Sequence, residues 1–381
     1  MKGRLRILMP TIYFPPRVGG IESHVYYLAR ELARRGHVVE IVTTRTEKAS
    51  PAAEVLEGIE VNRLHSFGKH PVGWVLSSLL AVPKVLSLAG RCDVMHCHTF
   101  AFALSGSVGN LLLRRPLIVT VHESHFLRFA KKKYMRPFLR LPLMRAAILL
   151  STSKEIDKVT RELLPKARTL PIVNGIDTDV FRPGAPALKK AEGEFLIVCP
   201  RRLVEKNGVE FLVRALPLLK GNLRAKVYIA GDGPLRSHLQ GLARDLGVMN
   251  EVVFMGSIEN TKMPSVFSSA DLVVIPSLVE ATSIAALEAM ACERVIAASR
   301  VGGLPEIIDG RVGVLFEPGS PQAIAEAIAA VAGRSDAAGM GREARRRVEQ
   351  NWSISRMADI HERLYFELAG RGPGAKVGAD A

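Results

Sequence analysis

Cysteine, aromatic residues and one glycine signature are what this 381-residue sequence has little of. Its four cysteines lie scattered in apolar segments, so no disulfide framework is visible and a reducing compartment is expected. Aromatic residues make up 6% of the chain and do not follow the pattern of a base-stacking sheet, so we expect no nucleic-acid partner. No Gly-x-Gly-x-x-Gly turn occurs, which argues against a nicotinamide enzyme. The apolar run in residues 1–10 is too short for a signal peptide, and we expect a cytoplasmic protein.

Acidic residues are scarce in only one half of the chain. Residues 1–183 hold 28 Lys and Arg against 14 Asp and Glu, whereas residues 184–381 hold 24 against 23. The net charge of +15 therefore belongs almost wholly to the first half. A basic domain of this kind predicts an anionic partner: a membrane surface, a nucleic acid or a phosphorylated substrate.

Short apolar strands alternate with helical segments along the chain. This alternation predicts an α/β protein with parallel sheets covered by helices on both faces. Two such sets predict two doubly wound, Rossmann-like domains at 1–183 and 190–350, joined by the Pro- and Gly-containing segment 182–194. We predict an amphipathic helix over 352–368 and a disordered tail over 371–381. Ligands of such sheets bind at the carboxyl ends of the strands, so we expect a site in a central cleft that both domains face.

Glu280 and Glu288 carry the most informative chemistry of the second half. Glu280 follows an apolar strand, and Glu288 lies eight residues later in a helical segment. The N-terminus of that helix offers free N–H groups to an anion, while carboxylates suit ribose or sugar hydroxyls as hydrogen-bond acceptors. Spacing alone favours two ordinary surface glutamates, so the other motifs have to decide.

Glycines and cations that suit a phosphate follow the first strand of each predicted domain. Gly19 and Gly20 precede a helix, where paired glycines let backbone N–H groups approach a phosphate. Arg202 and Lys206 are suited to neutralise a diphosphate, and Arg201 could take the place of Arg202. A plain loop-to-helix turn and a solvated charge cluster are the simpler interpretations of the same residues.

Two further strand ends carry residues of interest. Gly231 allows a ligand to approach the backbone closely, and its neighbour Asp232 is predicted to cap the helix that begins at Leu235. His122 ends a strand of the first domain, and its imidazole is suited to bind a sugar hydroxyl or a phosphate.

No metal site is expected. Asp177 and Asp179 match a metal-binding Asp-x-Asp by letter, but they lie in a turn-rich stretch that explains them. Because alternate residues of a strand face opposite ways, a second set would not converge easily on zinc: Cys92, His96, Cys97 and His98.

Two segments of the first domain point to a membrane. Residues 126–145 contain seven basic residues and no acid, interleaved with Phe, Tyr, Leu and Met, as is typical of a segment that meets anionic lipid. Residues 72–90 are almost wholly apolar but include Pro83 and Lys84, so we do not interpret them as a spanning helix. An ordinary core helix is the alternative for 72–90, and together the two segments favour contact with an anionic membrane.

Taken in order, these segments resemble the retaining, nucleotide-sugar-dependent glycosyltransferases of family 4, which have the GT-B fold. The resemblance covers about residues 4–368. It rests on an ordered set of short motifs: GGIE at 19–22, DVMHCH at 93–98, VTVHE at 119–123, NGIDTDVF at 174–181, RRLVEKNG at 201–208, AGDGP at 230–234, FMGSI at 254–258, the pair Glu280 and Glu288, and VGGLPEII at 301–308.

The resemblance implies a role for each matching residue. His122 and Glu280 are implied to contact the transferred sugar and to serve catalysis. The ribose and base of the donor are implied to bind at Glu288, Gly231 and Ile258. The donor diphosphate is implied to bind at Gly19, Gly20, Arg202, Lys206, Ser283 and Ile284. The helix at about 352–370 is implied to return to the first domain, which receives the acceptor and touches the membrane when that acceptor is a lipid.

The chain departs from the family pattern at the presumed sugar. The turn that usually reads Glu-Gly-Phe-Gly is Glu280-Ala281-Thr282-Ser283 here, which leaves the identity of the sugar open. The spacing from Arg202 to Lys206 is four, where five is common. The serine-bearing turn, together with GGIESH and HCHTF, is similar to the branch that transfers N-acetylglucosamine to phosphatidylinositol.

We therefore expect a metal-independent glycosyltransferase with no cofactor. Its expected donor is a nucleotide-diphosphate hexose or N-acetylhexosamine, with UDP favoured, and its acceptor a lipid or lipid-linked glycan at the inner face of the cell membrane. Front-face attack is expected to retain the configuration of the sugar. The alternatives are a nucleotide-sugar epimerase of the same fold, a soluble glycosyltransferase with a small-molecule acceptor, and a non-catalytic protein that binds a membrane or a partner.

Overall fold

Two compact units make up the chain in a computed structural model. The first unit contains residues 1–175 and 354–381, and the second contains residues 176–353. The described residues are 3–17, 19–47, 50–68, 70–122, 124–173, 175–280 and 283–370. The predicted disordered tail at 371–381 lies outside them, as do Ala281 and Thr282 of the turn after Glu280.

Fourteen strands and fourteen α-helices are formed by the described residues. The strands are β1 (Arg6–Pro10), β2 (Val38–Thr44), β3 (Ala53–Leu56), β4 (Ile59–Leu64), β5 (Val94–His98), β6 (Leu117–Val121), β7 (Ile148–Ser151), β8 (Thr169–Pro171), β9 (Phe195–Cys199), β10 (Ala225–Ala230), β11 (Val252–Gly256), β12 (Leu272–Ile275), β13 (Val295–Ser299) and β14 (Gly313–Phe316). The helices are α1 (Gly20–Arg34), α2 (Pro71–Ala89), α3 (Ala103–Leu113), α4 (Ser124–Ala130), α5 (Arg136–Leu143), α6 (Lys154–Leu163), α7 (Val209–Leu219), α8 (Arg236–Asp245), α9 (Met263–Ser268), α10 (Ile284–Ala291), α11 (Leu304–Ile307), α12 (Pro321–Ala332), α13 (Ala337–Asn351) and α14 (Ile354–Leu368).

The first unit is built on an eight-stranded sheet with the order β3-β4-β2-β1-β5-β6-β7-β8. Its strands pair in parallel except for β3, which forms an antiparallel hairpin with β4. Strands β5, β6 and β7 are buried at every residue, as expected for parallel strands with helices on both faces. The carboxyl ends of the adjacent strands β1, β5 and β6 therefore lie side by side.

Helix α14 belongs to the core of the first unit although it lies near the end of the chain. Its Leu364 and Tyr365 are fully buried in the cluster that contains Leu28 and Leu32 of α1. Glu362 accepts a hydrogen bond or ion pair from His37 at 3.0 Å, which fixes the helix at its polar edge. The terminal helix is thus an integral part of this unit's packing.

The second unit is a six-stranded parallel sheet with the order β11-β10-β9-β12-β13-β14. Its core joins the strands to α7, α8, α12 and α13. The segment 182–194, predicted as a linker, lies within this unit: the N–H of Ala187 donates to Ser265 O at 3.1 Å and to Ser269 Oγ at 2.9 Å. These bonds tie the segment to α9.

The predicted strand and helix pattern agrees closely with the observed elements, with three omissions. Strands β3, β8 and β14 are short and only partly buried, so they lack the apolar run by which the other strands were recognised. The predicted cap at Asp232 is wrong: α8 begins after Leu235, which has no side-chain cap. Asp232 instead accepts from the N–H of Gly233 at 2.7 Å and pairs with Arg236 at 2.8 Å, because the helix starts one residue too late for a cap.

Candidate active site

Three loops meet at the carboxyl edge of the second sheet. They follow β9, β10 and β12, which are neighbours in the order of strands. The loop after β9 is wedged between the other two: a Cβ on Gly231 would lie 2.1 Å from Arg201 O, and a Cβ on Gly208 would lie 2.0 Å from Pro276 O. Only glycine permits this approach of backbone to backbone. The loop that carries Arg201, Arg202 and Lys206 is therefore held rigidly.

Gly208 offers a direct test of that packing, because Gly221 has a similar backbone in open space. Gly208 has φ +61° and the blocked Cβ position, whereas Gly221 has φ +85° and no atom within 4 Å of its Cβ position. We expect Gly221→Ala to cost about 1 kcal/mol of unfolding free energy, the cost of the left-handed backbone alone. We expect Gly208→Ala to cost roughly 3 kcal/mol or more, since Pro276 must also move. Urea denaturation of both variants measures the difference, and equal costs would contradict the close packing of these loops.

Arg201 points into the second unit and fixes the turn after β12. Its Nη2 donates to Glu280 Oε2 at 2.5 Å and to Ser283 Oγ at 3.0 Å. Ser283 also caps α10 by accepting from the N–H of Ala286 at 3.3 Å. The side chains of Arg201 and Glu280 are only 10% and 16% exposed, so this ion pair is well shielded. Arg201 thus holds the predicted sugar-contacting carboxylate, a role that the sequence motif did not reveal.

Arg202 and Lys206 differ from Arg201 in their exposure. Both are exposed at the sheet edge, on the loop that Gly208 and Gly231 hold in place. The carbonyl of Lys206 accepts from the N–H of Leu278 at 2.8 Å, which ties this loop to the one after β12. Of the two adjacent arginines that the sequence left interchangeable, Arg202 is the one that solvent reaches.

Glu288 lies one helical turn inside α10 and is 7% exposed. Burial raises the pKa of its carboxyl to about 8. A carboxyl group in this state is protonated at neutral pH, and a ligand that donates hydrogen bonds to its oxygens would favour the ionised form. Ile284, the first residue of α10, and Ile258, which follows β11, are both half-buried at the same edge of the sheet.

The first unit presents a second group of candidate residues at the carboxyl edge of its own sheet. Helix α1 begins at Gly20, with Gly19 before it, so its first N–H groups lie beside the loop after β1. Arg17 pairs with Glu22 at 3.0 Å in the first turn and lies 3.6 Å over the ring of Tyr13. The arrangement orders the loop that leads into the helix.

His122 lies at the end of β6, and two other histidines surround it. Its Nε2 is 3.2 Å from Nδ1 of His98, at the end of β5, and its ring centroid is 4.5 Å from that of His24 on α1. His122 is 8% exposed, while His24 and His98 are 1% and 0% exposed. Burial, together with the nearby His361, lowers the pKa of His122 to about 3, so the imidazole is neutral.

The histidines continue into the interior of the first unit. His96 hydrogen-bonds Tyr365 Oη at 2.6 Å and Thr120 Oγ1 at 2.7 Å, and its ring centroid lies 4.0 Å from that of His98. His361 of α14 lies 5.4 Å from His96, centroid to centroid. Five of the ten histidines of the chain thus form one buried cluster, of which only His122 was predicted as a site residue. The helical spacing of His24 beside GGIE was the available signal.

The two metal-binding sets considered from the sequence do not form sites here. Cys97 points to the opposite side of β5, where its sulfur would lie 2.3 Å from a Cβ on Gly106 of α3. Asp177 Oδ1 accepts from the N–H of Asp179 at 3.1 Å and of Val180 at 3.3 Å, which is the chemistry of a turn.

Comparison with known families and proteins bears on this arrangement. Residues 18–180 match the model of Glycosyltransferase Family 4, and residues 185–350 match that of Glycosyl transferases group 1. An uncharacterized glycosyltransferase of Methanocaldococcus jannaschii is 31% identical over 342 residues, which cover 84% of this chain and 87% of that protein.

Two characterised relatives have names that include phosphatidylinositol. A phosphatidylinositol N-acetylglucosaminyltransferase from Arabidopsis thaliana is 27% identical over 83% of this chain and 72% of its own length. The GDP-mannose-dependent alpha-(1-6)-phosphatidylinositol monomannoside mannosyltransferase of Mycolicibacterium smegmatis is 29% identical over 91% of this chain and 94% of its own length.

Solved structures of sugar-transferring proteins have the same fold. The sucrose-phosphate synthase of Thermosynechococcus elongatus superposes with a TM-score of 0.88 at 22% identity, over 97% of this chain and 100% of that chain. The HepE protein of Anabaena, solved in complex with UDP-glucose, superposes with a TM-score of 0.76 at 20% identity, over 95% of this chain and 99% of that chain. The predicted fold class, two Rossmann-like domains of the GT-B type, is confirmed.

Proposed function

The chain belongs to the glycosyltransferases of group 1 and family 4, which have the GT-B fold, and from this membership we propose that it moves a hexose or N-acetylhexosamine from a nucleotide-diphosphate sugar to a lipid or lipid-linked acceptor. The observation that carries the proposal is the carboxyl edge of the second sheet. There, two exposed cations on a rigid loop, Arg202 and Lys206, accompany the buried carboxyl of Glu288.

The donor would bind through charge and hydroxyl contacts at that edge. The cations are suited to the diphosphate, since a preformed positive site needs little reorganisation as the phosphate leaves. The N-terminus of α10, capped by Ser283, adds backbone N–H groups for the same anion. Glu288 would accept hydrogen bonds from the ribose hydroxyls, and Gly231 would leave room for the base. A complex of HepE with UDP-glucose supports UDP as the nucleotide.

Transfer would proceed with retention and without a metal ion or a cofactor. The bond between the anomeric carbon and the diphosphate oxygen breaks as the acceptor oxygen attacks from the same face. The departing phosphate oxygen takes the proton of the acceptor, so no protein nucleophile is required. Glu280, fixed by Arg201, and the neutral His122 would hold the sugar by hydrogen bonds. Because Arg202 and Lys206 neutralise the leaving group, chelation of divalent ions should leave the rate unchanged.

A lipid acceptor is favoured by the relatives and by the surface of the first unit. Relatives from a plant and a mycobacterium have names that place phosphatidylinositol or its mannoside in their reactions. The apolar side chains exposed on the first unit lie on three helical segments that pack in sequence, α2 on α3 and α3 on α5. They are Val72, Val75, Leu76, Leu79, Leu80, Leu111, Leu112, Leu113, Tyr134, Phe138, Leu141 and Met144.

Basic residues accompany this apolar surface. All seven Lys and Arg residues of 126–145 are exposed, as are Arg114 and the neighbouring apolar residues Phe138 and Leu141. Helix α2 is also long and apolar enough to cross a membrane by length and composition, a weak criterion, and 39% of its most apolar stretch is buried within the unit. A helix packed on one side and apolar on the other is better suited to lie at a lipid surface. We propose peripheral contact with the cytoplasmic, anionic face of the membrane.

Vesicle binding tests this surface. Replacing Lys131, Lys132 and Lys133 together by glutamine is expected to weaken binding to phosphatidylglycerol-containing vesicles about 100-fold, at roughly 1 kcal/mol for each charge. Phe138→Ser is expected to weaken it about tenfold by removing apolar area from the lipid contact. Leu218→Ser, at a 48% exposed apolar residue of the second unit, is the matched control and should bind as wild type does. Sedimentation with vesicles measures binding, and equal affinity for phosphatidylcholine alone would contradict an anionic surface contact.

The transfer reaction itself is tested with labelled donors. The protein is incubated with a panel of UDP- and GDP-sugars and a membrane lipid extract, and the products are separated by solvent extraction. Label in the lipid phase supports the proposal, whereas label only in a water-soluble glycoside would indicate a small-molecule acceptor. An epimerised nucleotide sugar without transfer would replace the proposal with epimerase chemistry. Failure to turn over any donor would contradict both enzymatic functions.

A further inference from the structure

Three histidines from separate elements converge at the carboxyl edge of the first sheet. His24 lies on the second turn of α1, His98 ends β5 and His122 follows β6. Each offers one ring nitrogen to a set in which all three nitrogens lie within 4.8 Å of one another. Convergence of this kind has no counterpart in a requirement of the fold, because a sheet edge packs equally well with apolar side chains.

The geometry is close to that of a tetrahedral metal site. His98 Nδ1 and His122 Nε2 are 3.2 Å apart. Two nitrogens that ligate one zinc ion at 2.0–2.1 Å in a tetrahedron are roughly 3.4 Å apart. The third nitrogen, from His24, needs to move by only about 1 Å to complete the set. A small rotation of its imidazole provides that movement without a change in the backbone.

The chemistry of the set favours a transition metal ion. Burial disfavours the charged imidazolium, and neutral imidazole is the form that ligates zinc, copper, cobalt or nickel. The second nitrogen of His98, Nε2, is buried and has no hydrogen-bond partner among the described residues. Buried ring nitrogens that go unsatisfied are rare and call for an explanation. A cation held by the facing lone pairs would fix the protonation of these rings.

We propose that His24, His98 and His122 form a binding site for Zn²⁺ or a similar first-row transition metal ion. The ion reaches the site from the side of His122, the most exposed of the three at 8%. Three protein ligands leave a fourth position for water. The site is one for inhibition and not for catalysis: an ion on His122 withdraws that imidazole from the sugar. This last consequence rests on the proposed function, whereas the binding of the metal does not.

Metal binding is measured on the full chain without any sugar donor. Chelator-treated protein is titrated with Co²⁺, whose tetrahedral complexes absorb strongly in the visible, and is separately loaded with Zn²⁺, desalted and analysed for metal. We expect about one equivalent of tightly held zinc and an intense cobalt spectrum. His24→Gln and His98→Gln are each expected to weaken binding about 100-fold or more. His238→Gln, at a 55% exposed histidine of the second unit, is the control and should bind as wild type does.

Folding of the variants is checked by circular dichroism, and the wild type provides a second readout that needs no variant. A ligand that binds only the folded protein raises its melting temperature, so Zn²⁺ should stabilise wild type and not His24→Gln. Retention of less than about a tenth of an equivalent by wild type, or equal retention by His24→Gln, would overturn the site. If transfer activity is found, zinc should inhibit it and chelator should restore it. Zinc retained without any transfer activity would leave the metal site standing and count against the glycosyltransferase proposal alone.

Discussion

Replacing His122 by alanine is expected to lower kcat about 10²–10³-fold, the usual effect of removing one hydrogen-bonding group that acts on the reacting sugar. Affinity for UDP should stay within about threefold of wild type, because the proposed nucleotide contacts belong to the other unit and distant sites act independently. Isothermal titration with UDP and initial rates with the donor sugar separate the two effects. His238→Ala is the control. A loss of UDP affinity as large as the loss of kcat would place His122 in nucleotide binding instead.

The protonation state of His122 gives this prediction a pH dependence. Burial lowers its pKa to about 3, below its ordinary value of 6.5, so the ring stays neutral throughout the physiological range. We therefore expect kcat to show no loss attributable to this residue as the pH falls from about 8 to about 5.5. A sigmoidal loss of kcat centred near pH 6.5 would mean that His122 titrates normally and is not as buried as its surroundings indicate.

Glu288→Gln is expected to weaken UDP binding about 10–100-fold, because an amide replaces the charged acceptor of the ribose hydroxyls. The same substitution should stabilise the second unit at alkaline pH. The pKa of the buried carboxyl is raised from 4.5 to about 8, so folding favours the protonated form. Its contribution to stability is fully present below the ordinary pKa and is lost as the pH rises through about 8. At pH 9 the gain from glutamine should be roughly 2–4 kcal/mol.

Two opposite pH trends in the wild type identify this carboxyl group. Only about a tenth of Glu288 is ionised at pH 7 when its pKa is about 8, so UDP affinity should rise about tenfold towards pH 9 while urea resistance falls. Glu288→Gln should show neither trend. Glu326→Gln, at an exposed glutamate of α12, is the control and should keep both. Unchanged UDP affinity in Glu288→Gln would contradict the ribose assignment and leave the stability argument intact.

The fold could be predicted from the sequence because its signals are local. Apolar runs of four to six residues separated by helical segments marked most of the strands, and β1, β4, β6, β9 and β12 were predicted to the residue. The family could also be recognised, since short motifs in a fixed order are a property of the chain and not of its packing. The roles given to single residues within those motifs stay predictions.

Other features depend on burial and on contacts between distant segments. Glu288 was recognised as a carboxylate, but only its burial in α10 raises its pKa to about 8. Arg201 and Arg202 are equivalent as letters, and the tertiary structure alone directs the first to Glu280 and leaves the second exposed. The apolar surface of α2, α3 and α5 likewise exists because three helices pack side by side.

The histidine cluster shows most clearly where the sequence ends as a guide. The order of residues determined two α/β units, the family and the approximate position of each strand-end loop, because periodicity and motifs are encoded within a few turns of chain. Tertiary structure decided that His24, His98 and His122 face one another, with His361 of the terminal helix beside them. Those four residues come from α1, β5, β6 and α14, and only the parallel order of the strands and the return of α14 to the first unit bring them together.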